Sequence, residues 1–230
     1  MIQFVLSDIE GTTTDIQFVH ATLFPYFAQQ IANEWKHLQS WSEFPTALAE
    51  MSVDSQAKTD EEWIAQILHW VHTDVKQAGM KRLQGKVWET AYISGAIQGH
   101  VYADVPQAFK RWKAAGIGIG IYSSGSVYAQ KLLLQYSNSG NLDSYITANF
   151  DTAVGHKRET QSYIEISKQL NIKPKNILFL SDIKEELDAA HAAGFSVGLS
   201  IRSGNAPQAA HTYAHIFSFD EVDNLFHQVG

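Results

Sequence analysis

The sequence predicts an α/β fold, a doubly wound parallel sheet interrupted by an inserted helical domain. Three observations carry this expectation. Short β-branched or aliphatic runs recur between Gly- and Pro-marked joints, and they are continuous rather than alternating, as strands buried on both faces require. Helical patterns separate the later runs, the alternation of a doubly wound sheet. The stretch from about residue 16 to residue 99 holds no convincing strand, reads as helix nearly throughout and carries five of the six tryptophans.

Taken in order, Ile2–Leu6 is the first expected strand, stopping abruptly before Asp8. The helical insert follows, its aromatic residues read mainly as core. After it, Asp104 can cap a helix that places Val105, Phe109 and Trp112 on one face and ends at Gly116. Further strands are expected at Ile117–Tyr122, Tyr145–Ala148, Ile177–Leu180 and Ser196–Leu199, with a weaker one at His215–Phe217. Helices are expected over Ser126–Leu134, Arg158–Leu170 and Lys184–Ala193, the last closed by Gly194. Phe219, Val222, Leu225, Phe226 and Val229 give a final amphipathic helix. The expected domains are a core of residues 1–15 and 100–230 and an insert of residues 16–99.

Bulk properties narrow the function. A formal charge of −7 and a pI near 5.8 argue against nucleic acid or an anionic membrane as the main partner. With no cysteine, disulfides, thiolate metal sites and cysteine nucleophiles are excluded. No signal peptide is evident, and no stretch approaches the ~18 apolar residues of a membrane span. A soluble, cytoplasmic monomer is expected.

In open α/β sheets ligands lie outside the carboxyl ends of the strands. Those ends carry chemistry here. The first delivers "SDIEGTTTD", with Asp8 and Glu10 roughly 6–7 Å apart if extended. The second delivers "YSSGS", with Ser123, Ser124 and Gly125 on a turn. After the third comes "DTAVGHKRE", with His156 and Lys157 before a helix. The fourth ends in "LSDIKEE", with Ser181 and Asp182. Asp8 and Asp182 suit a divalent cation such as Mg²⁺. Ser123 or Ser124, neighbouring N–H groups and Lys157 suit the remaining oxygens of a phosphate. With that charge neutralised, Asp8 can attack phosphorus and form an aspartyl phosphate. Glu10 can protonate the leaving oxygen and then deprotonate the hydrolytic water. Gly11 lets the chain turn, and Thr12, Thr13 and Thr14 offer hydroxyls to fix the carboxylates.

Each residue also has a plainer reading. Asp8 and Glu10 could form a turn and a helix cap, Ser123, Ser124 and Asp182 could cap helices, and Lys157 could be a solvated cation. Their appearance together at successive strand ends favours function. Gly116, Gly118 and Gly120 fail the dinucleotide pattern because they precede or lie within the strand, and they are read as permitting close packing. His211 and His215 have helical metal-ligand spacing on a segment of turn and strand, which is expected to put them out of register. His69 and His72 are read as surface or core residues of the insert. His20 could reach a substrate, and Phe18, Phe24, Tyr26 and Trp88 could line an apolar pocket, with core packing the plainer role.

The pattern Asp-x-Glu-Gly-Thr, strand-end Ser, Lys before a helix and strand-end Ser-Asp resembles the haloacid-dehalogenase superfamily of phosphotransferases. "DIEGTTTDIQFVHATLFPY", "LQGKVWE", "GHVYADVP" and "IYSSGS" resemble more narrowly the enolase-phosphatase (acireductone synthase) family of methionine salvage. The resemblance implies Asp8 as nucleophile and metal ligand, and Glu10 as acid/base and, through its backbone carbonyl, metal ligand. It implies Ser123, Ser124 and Lys157 as substrate-binding, Asp182 as the remaining metal ligand, Mg²⁺ as cofactor and the insert as a cap. It also implies a substrate, 2,3-diketo-5-methylthiopentyl 1-phosphate, enolised and then dephosphorylated to an acireductone. The base for enolisation is left open. One departure is that the fourth motif offers Ser181 and a single Asp182, leaving open whether Glu185, Glu186 or Asp188 supports it. The alternatives are a phosphatase of the same superfamily acting on another small phosphorylated metabolite, a dehalogenase, or a phospho-signalling receiver. A dehalogenase would have no use for Glu10 and a metal, and a receiver would not need the insert.

Overall fold

The computed structural model describes residues 1–227. The chain divides into two compact units, Met1–Ile16 with Gln98–Gly230, and Gln17–Ile97. In chain order the elements are β1 (Phe4–Ser7), α1 (Ile16–Phe18), a π turn (Val19–Leu23), α2 (Phe24–Gln39), α3 (Phe44–Met51), α4 (Asp60–His72) and α5 (Ala78–Ser94). Then come α6 (Val105–Ala114), β2 (Gly118–Tyr122), α7 (Val127–Gln135), β3 (Ala148–Phe150), α8 (Thr160–Leu170), β4 (Ile177–Ser181), α9 (Lys184–Ala192), β5 (Ser196–Ser200) and β6 (Ala214–Ile216).

The first unit holds six strands in the order β3-β2-β1-β4-β5-β6, every neighbouring pair parallel. The chain starts mid-sheet, winds outward through β2 and β3, then returns to β4 on the other side of β1. That reversal is the switch point at which such sheets bind ligands. The register sets Ser7 opposite both Ile121 and Leu180, so β1, β2 and β4 end at one level. All residues of β1 and β4 are buried, as their continuous apolar runs require. Phe4 lies against Gly118 and Gly120, where a Cβ would overlap its ring. Close packing is thus what Gly118 and Gly120 permit, whereas a Cβ on Gly116 would meet nothing within 4 Å. Tyr122, Tyr163, Phe179 and Phe195 pack edge to face with ring centroids 5.1–5.7 Å apart.

Where the chain leaves this unit and rejoins it, the two segments are bonded to each other. Thr14 Oγ1 donates to the His100 carbonyl (2.6 Å), His100 Nδ1 accepts from the Asp15 N–H (3.1 Å), and the Tyr102 N–H donates to the Thr13 carbonyl (3.0 Å).

In the second unit, α2 buries Phe27, Ile31, Trp35 and Leu38 on one face, a 3.6-residue periodicity. A capping box of Thr59 and Glu62 starts α4, and Gly95 in the left-handed region ends α5. Trp35, Trp63, Trp70 and Trp88 are buried, and Trp88 donates through Nε1 to the Leu23 carbonyl. The aromatic residues are therefore largely core, while His69 and His72 are exposed. His20 meets Phe24 edge-on, and Phe24 tilts against Trp88. Among the described residues this unit holds no strand, and no helix is long and apolar enough to cross a membrane.

Four local expectations need correction. The third strand is Ala148–Phe150, not Tyr145–Ala148, because Asp143–Tyr145 is a 3-10 turn. The polar Asn149 belongs to the strand, its carboxamide bonded to Gln130 Oε1. The helix expected from Arg158 starts at Thr160, after a turn in which Glu159 N–H donates to the His156 carbonyl. Asp104 makes no side-chain cap of α6. Its carboxylate instead takes the Arg202 guanidinium (2.8 Å) and the Phe219 N–H. The final helix is a 3-10 turn over Val222–His227. Phe219, Val222, Leu225 and Phe226 are buried, and within the turn Val222 and Leu225 share a face at three residues per turn. Val229 lies outside the described residues.

Candidate active site

The parallel register brings the sequence-predicted groups of β1, β2 and β4 to one rim of the sheet. Asp8 directly follows β1 and its N–H donates to the Leu180 carbonyl of β4 (2.9 Å). Beyond it the chain makes a tight loop. The N–H groups of Thr12, Thr13 and Thr14 converge on the Ile9 carbonyl at 2.9–3.2 Å, and Gly11 N–H returns to the Thr14 carbonyl. Gly11 has φ +67°, a conformation that costs a side chain little only when there is none. Glu10 bridges Thr14 at the mouth of this loop and is half-buried.

The threonine hydroxyls do not hold the carboxylates, contrary to expectation. Thr13 bonds the Asp8 and Ile9 carbonyls, and Thr14 bonds His100. Asp8 is held instead by the Ile9 N–H (2.8 Å) and Lys157 Nζ (2.7 Å), both on Oδ1. Thr13 is taken by backbone carbonyls of its own tight loop, and Thr14 by the returning segment at His100.

Lys157 is buried to 8 % exposure, so it is not a solvated cation. Its loop is fastened by α8: Tyr163 Oη donates to the Lys157 carbonyl (2.6 Å) and Ser162 Oγ to the His156 carbonyl (2.8 Å). The ammonium lies 2.7 Å from Asp8 Oδ1 and 2.7 Å from Glu186 Oε2. Glu186 Oε2 also accepts from Ser181 Oγ (2.8 Å). Glu186 is the residue that sequence reasoning left open. It stands in the first turn of α9, whose side chains tilt back toward the strand end. Asp188 turns away to Lys184 and Tyr213.

Ser123 is buried beyond β2, its Oγ accepting from the Gly125 N–H. Ser124 is half-buried beside it. Neither caps α7, because Ser126 does, taking the Ala129 N–H. Asp182 does not cap α9 either. It is buried beside Gly11, where a Cβ would overlap its Oδ2.

Burial foremost, then the repulsion of Glu186 and Asp182, pushes Asp8 well above the usual carboxylate range despite Lys157. Burial foremost, with repulsion from Glu186 and Glu10, pushes Asp182 up to about 6, again against Lys157. Burial opposes the charge of Lys157, yet Asp8 and Glu186 outweigh it and hold the ammonium above the ordinary lysine value. Three buried carboxylates thus share one cation. That excess of negative charge, all on hard oxygen donors, fits a divalent cation such as Mg²⁺. Among the described residues no three His, Cys, Asp or Glu side chains gather as a ligand set, so a cation here would also use backbone oxygen or water. His211 and His215, expected out of register, are neighbours with ring centroids 5.1 Å apart, because the segment bends where His211 Nδ1 accepts from Tyr213 N–H.

A doubly wound sheet with an acid pair, a hydroxyl turn, a buried lysine and a second acid at its switch point defines a class of phosphoryl-handling hydrolase. Residues 2–194 match the haloacid dehalogenase-like hydrolases, and the chain belongs to that family. Within it, the chain falls among the enolase-phosphatases. It is 45 % identical over 220 residues to enolase-phosphatase E1 of Drosophila willistoni, covering 90 % of this chain and 89 % of that one. It is 42 % identical over 235 residues to enolase-phosphatase E1 of Synechococcus elongatus, covering 96 % and 98 %. The crystal structure of the UTR4 protein of Saccharomyces cerevisiae superposes with TM-score 0.81 at 39 % identity, covering 96 % of this chain and 99 % of that one. An L-2-haloacid dehalogenase of Xanthobacter autotrophicus shares the fold, with TM-score 0.60 at 16 % identity.

Proposed function

We propose that the protein is an enolase-phosphatase of methionine salvage that acts on 2,3-diketo-5-methylthiopentyl 1-phosphate. It enolises the diketone and then removes phosphate through an aspartyl phosphate, giving an acireductone. The observation that carries this reading is the buried Asp8–Lys157–Glu186 chain at the switch point, in a sequence similar to enolase-phosphatases over most of its length.

The contacts of Ile9 N–H and Lys157 Nζ to the Asp8 carboxylate both fall on Oδ1, which leaves Oδ2 to attack phosphorus. The new bond is Oδ2–P and the broken one is P–O to the substrate carbon. The departing oxygen takes its proton from Glu10. Glu10 then takes a proton from the water that attacks the aspartyl phosphate, releasing inorganic phosphate and restoring Asp8. Lys157, held by Glu186, faces the transferred oxygens together with Ser123 and Ser124. Asp8, Asp182 and the Glu10 carbonyl would hold Mg²⁺, which supplies charge neutralisation at phosphate and polarises the neighbouring carbonyl. In this reading residues 16–99 are the cap and residues 1–15 with 100–230 the core. The enzyme works as a cytoplasmic monomer on a small metabolite, with no nucleic-acid or membrane partner.

Asp8→Asn tests the order of events. It keeps the shape and an oxygen but removes the nucleophile. Phosphate release is expected to fall by several orders of magnitude, while enolisation survives in part, so the phosphorylated enol accumulates and is seen by its ultraviolet absorbance. Phosphate release within about tenfold of native would show that Asp8 is not the nucleophile. Full phosphatase rate of the native enzyme in chelator would remove the cation from the reading.

A further inference from the structure

The loop after β5 brings one more oxygen to the rim. A Cβ on Gly11 would overlap Asp182 Oδ2 and would stand 2.8 Å from Asn205 Oδ1. Both oxygens therefore border the space that Gly11 leaves open. The orientation of the Asn205 carboxamide is determined by its donors: Nδ2 gives its two hydrogens to the Gly11 carbonyl (2.9 Å) and the Ser200 carbonyl (3.2 Å). Turning the amide over would offer an N–H toward Asp182, but would set oxygen against two carbonyls. The two carbonyls decide it.

Oδ1 is consequently buried with no protein donor within reach. An unsatisfied buried acceptor costs about 1–3 kcal/mol, and here it sits beside a carboxylate, another acceptor. Two acceptors bordering one space match a water that donates both its hydrogens. Such a donor is strongest when the water is itself coordinated to a cation.

We infer that Asn205 is a positioning residue for the divalent cation, its Oδ1 accepting a hydrogen bond from a water of the cation's inner shell beside Asp182. The inference rests on the cation site of the proposed function. It assigns the loop 201–205 a part in metal binding that the four strand-end motifs do not contain.

The test is Mn²⁺ binding to the full-length protein without substrate, followed by electron paramagnetic resonance of the free ion. Asn205→Ala is expected to weaken Mn²⁺ binding by about 10–100-fold, the usual cost of losing a partner of a metal's shell. If Asn205→Ala does not fold, Asn205→Ser, too short to present the acceptor, carries the same expectation. A variant with a lower metal-free melting temperature but native Mn²⁺ affinity would show that the residue only braces Gly11 and Ser200, and would overturn the inference. Native protein that binds no Mn²⁺ would overturn both this inference and the cation site. Native protein that binds Mn²⁺ and releases phosphate, with Asn205→Ala unchanged in affinity, would overturn this inference alone.

Discussion

Gly11 and Gly116 have nearly the same backbone, φ +67° and +74°, in different surroundings. A Cβ in the left-handed region costs about 1–2 kcal/mol at either position. At Gly116 nothing lies within 4 Å of it, whereas at Gly11 it meets Asp182 Cγ at 2.6 Å and Asn205 Oδ1 at 2.8 Å, besides overlapping Asp182 Oδ2. Neither neighbour is a flexible chain end: Asp182 is buried, and Asn205 is held by two hydrogen bonds. Relieving the overlap means shifting a carboxylate or a loop, a strain of about 1–3 kcal/mol more. Urea unfolding of the metal-free protein should therefore show Gly116→Ala losing about 1–2 kcal/mol and Gly11→Ala about 2–5 kcal/mol. The second readout is Mg²⁺-dependent phosphate release. Gly116→Ala should keep native turnover, while Gly11→Ala should need far more Mg²⁺ and lose at least about tenfold in rate. Equal losses of stability in the two variants, or native Mg²⁺ dependence in Gly11→Ala, would refute the claim that Gly11 is small because the site needs its space.

Lys157→Ala leaves Asp8, Asp182 and Glu186 without their shared cation, so the metal-free protein should lose about 3–5 kcal/mol in urea unfolding. Added Mg²⁺ should recover part of that loss, and turnover should fall along with substrate affinity; a variant changed in neither stability nor kinetics would refute the role of the buried ammonium. For Asp104, burial opposes ionisation, but Arg202 and the Phe219 N–H win and hold the carboxyl below its ordinary value of 3.8. Stability from that pair is present above about pH 4 and is lost as pH falls through the lower folded value. Asp104→Asn should be less stable at neutral pH and show a flatter acid limb than the native protein below pH 4, and parallel curves would refute the pairing.

Much of this was legible because burial on both faces leaves a plain trace. Ile177–Leu180 and Ser196–Leu199 could be read as strands from continuous apolar runs, and Asp8 and Asp182 stood out because each ends such a run. The third strand was misplaced because Asn149 is polar, and only the tertiary position of Gln130 gives it a partner. Asp104 looked like a cap because its competitors, Arg202 and Phe219, lie roughly a hundred residues away in sequence. Glu186 could have been found, since it stands in the first turn of α9, whose side chains tilt back toward the strand end. Asn205 had no such signal. It sits in a loop without periodicity, and its significance depends on which way its amide faces, which two distant carbonyls determine.

The mutual bonding of Thr13, Thr14 and Asp15 with His100 and Tyr102 has a consequence for how this protein can vary. The chain's departure and return are laced together inside the sheet-bearing unit, so the sheet does not depend on the intervening segment to bring its two ends into place. For a flexible connection, each doubling in length adds only about 0.6 kcal/mol of closure cost. The junction is thus a place where the connecting segment can change length at small cost to the strand ends that carry Asp8 and Asp182.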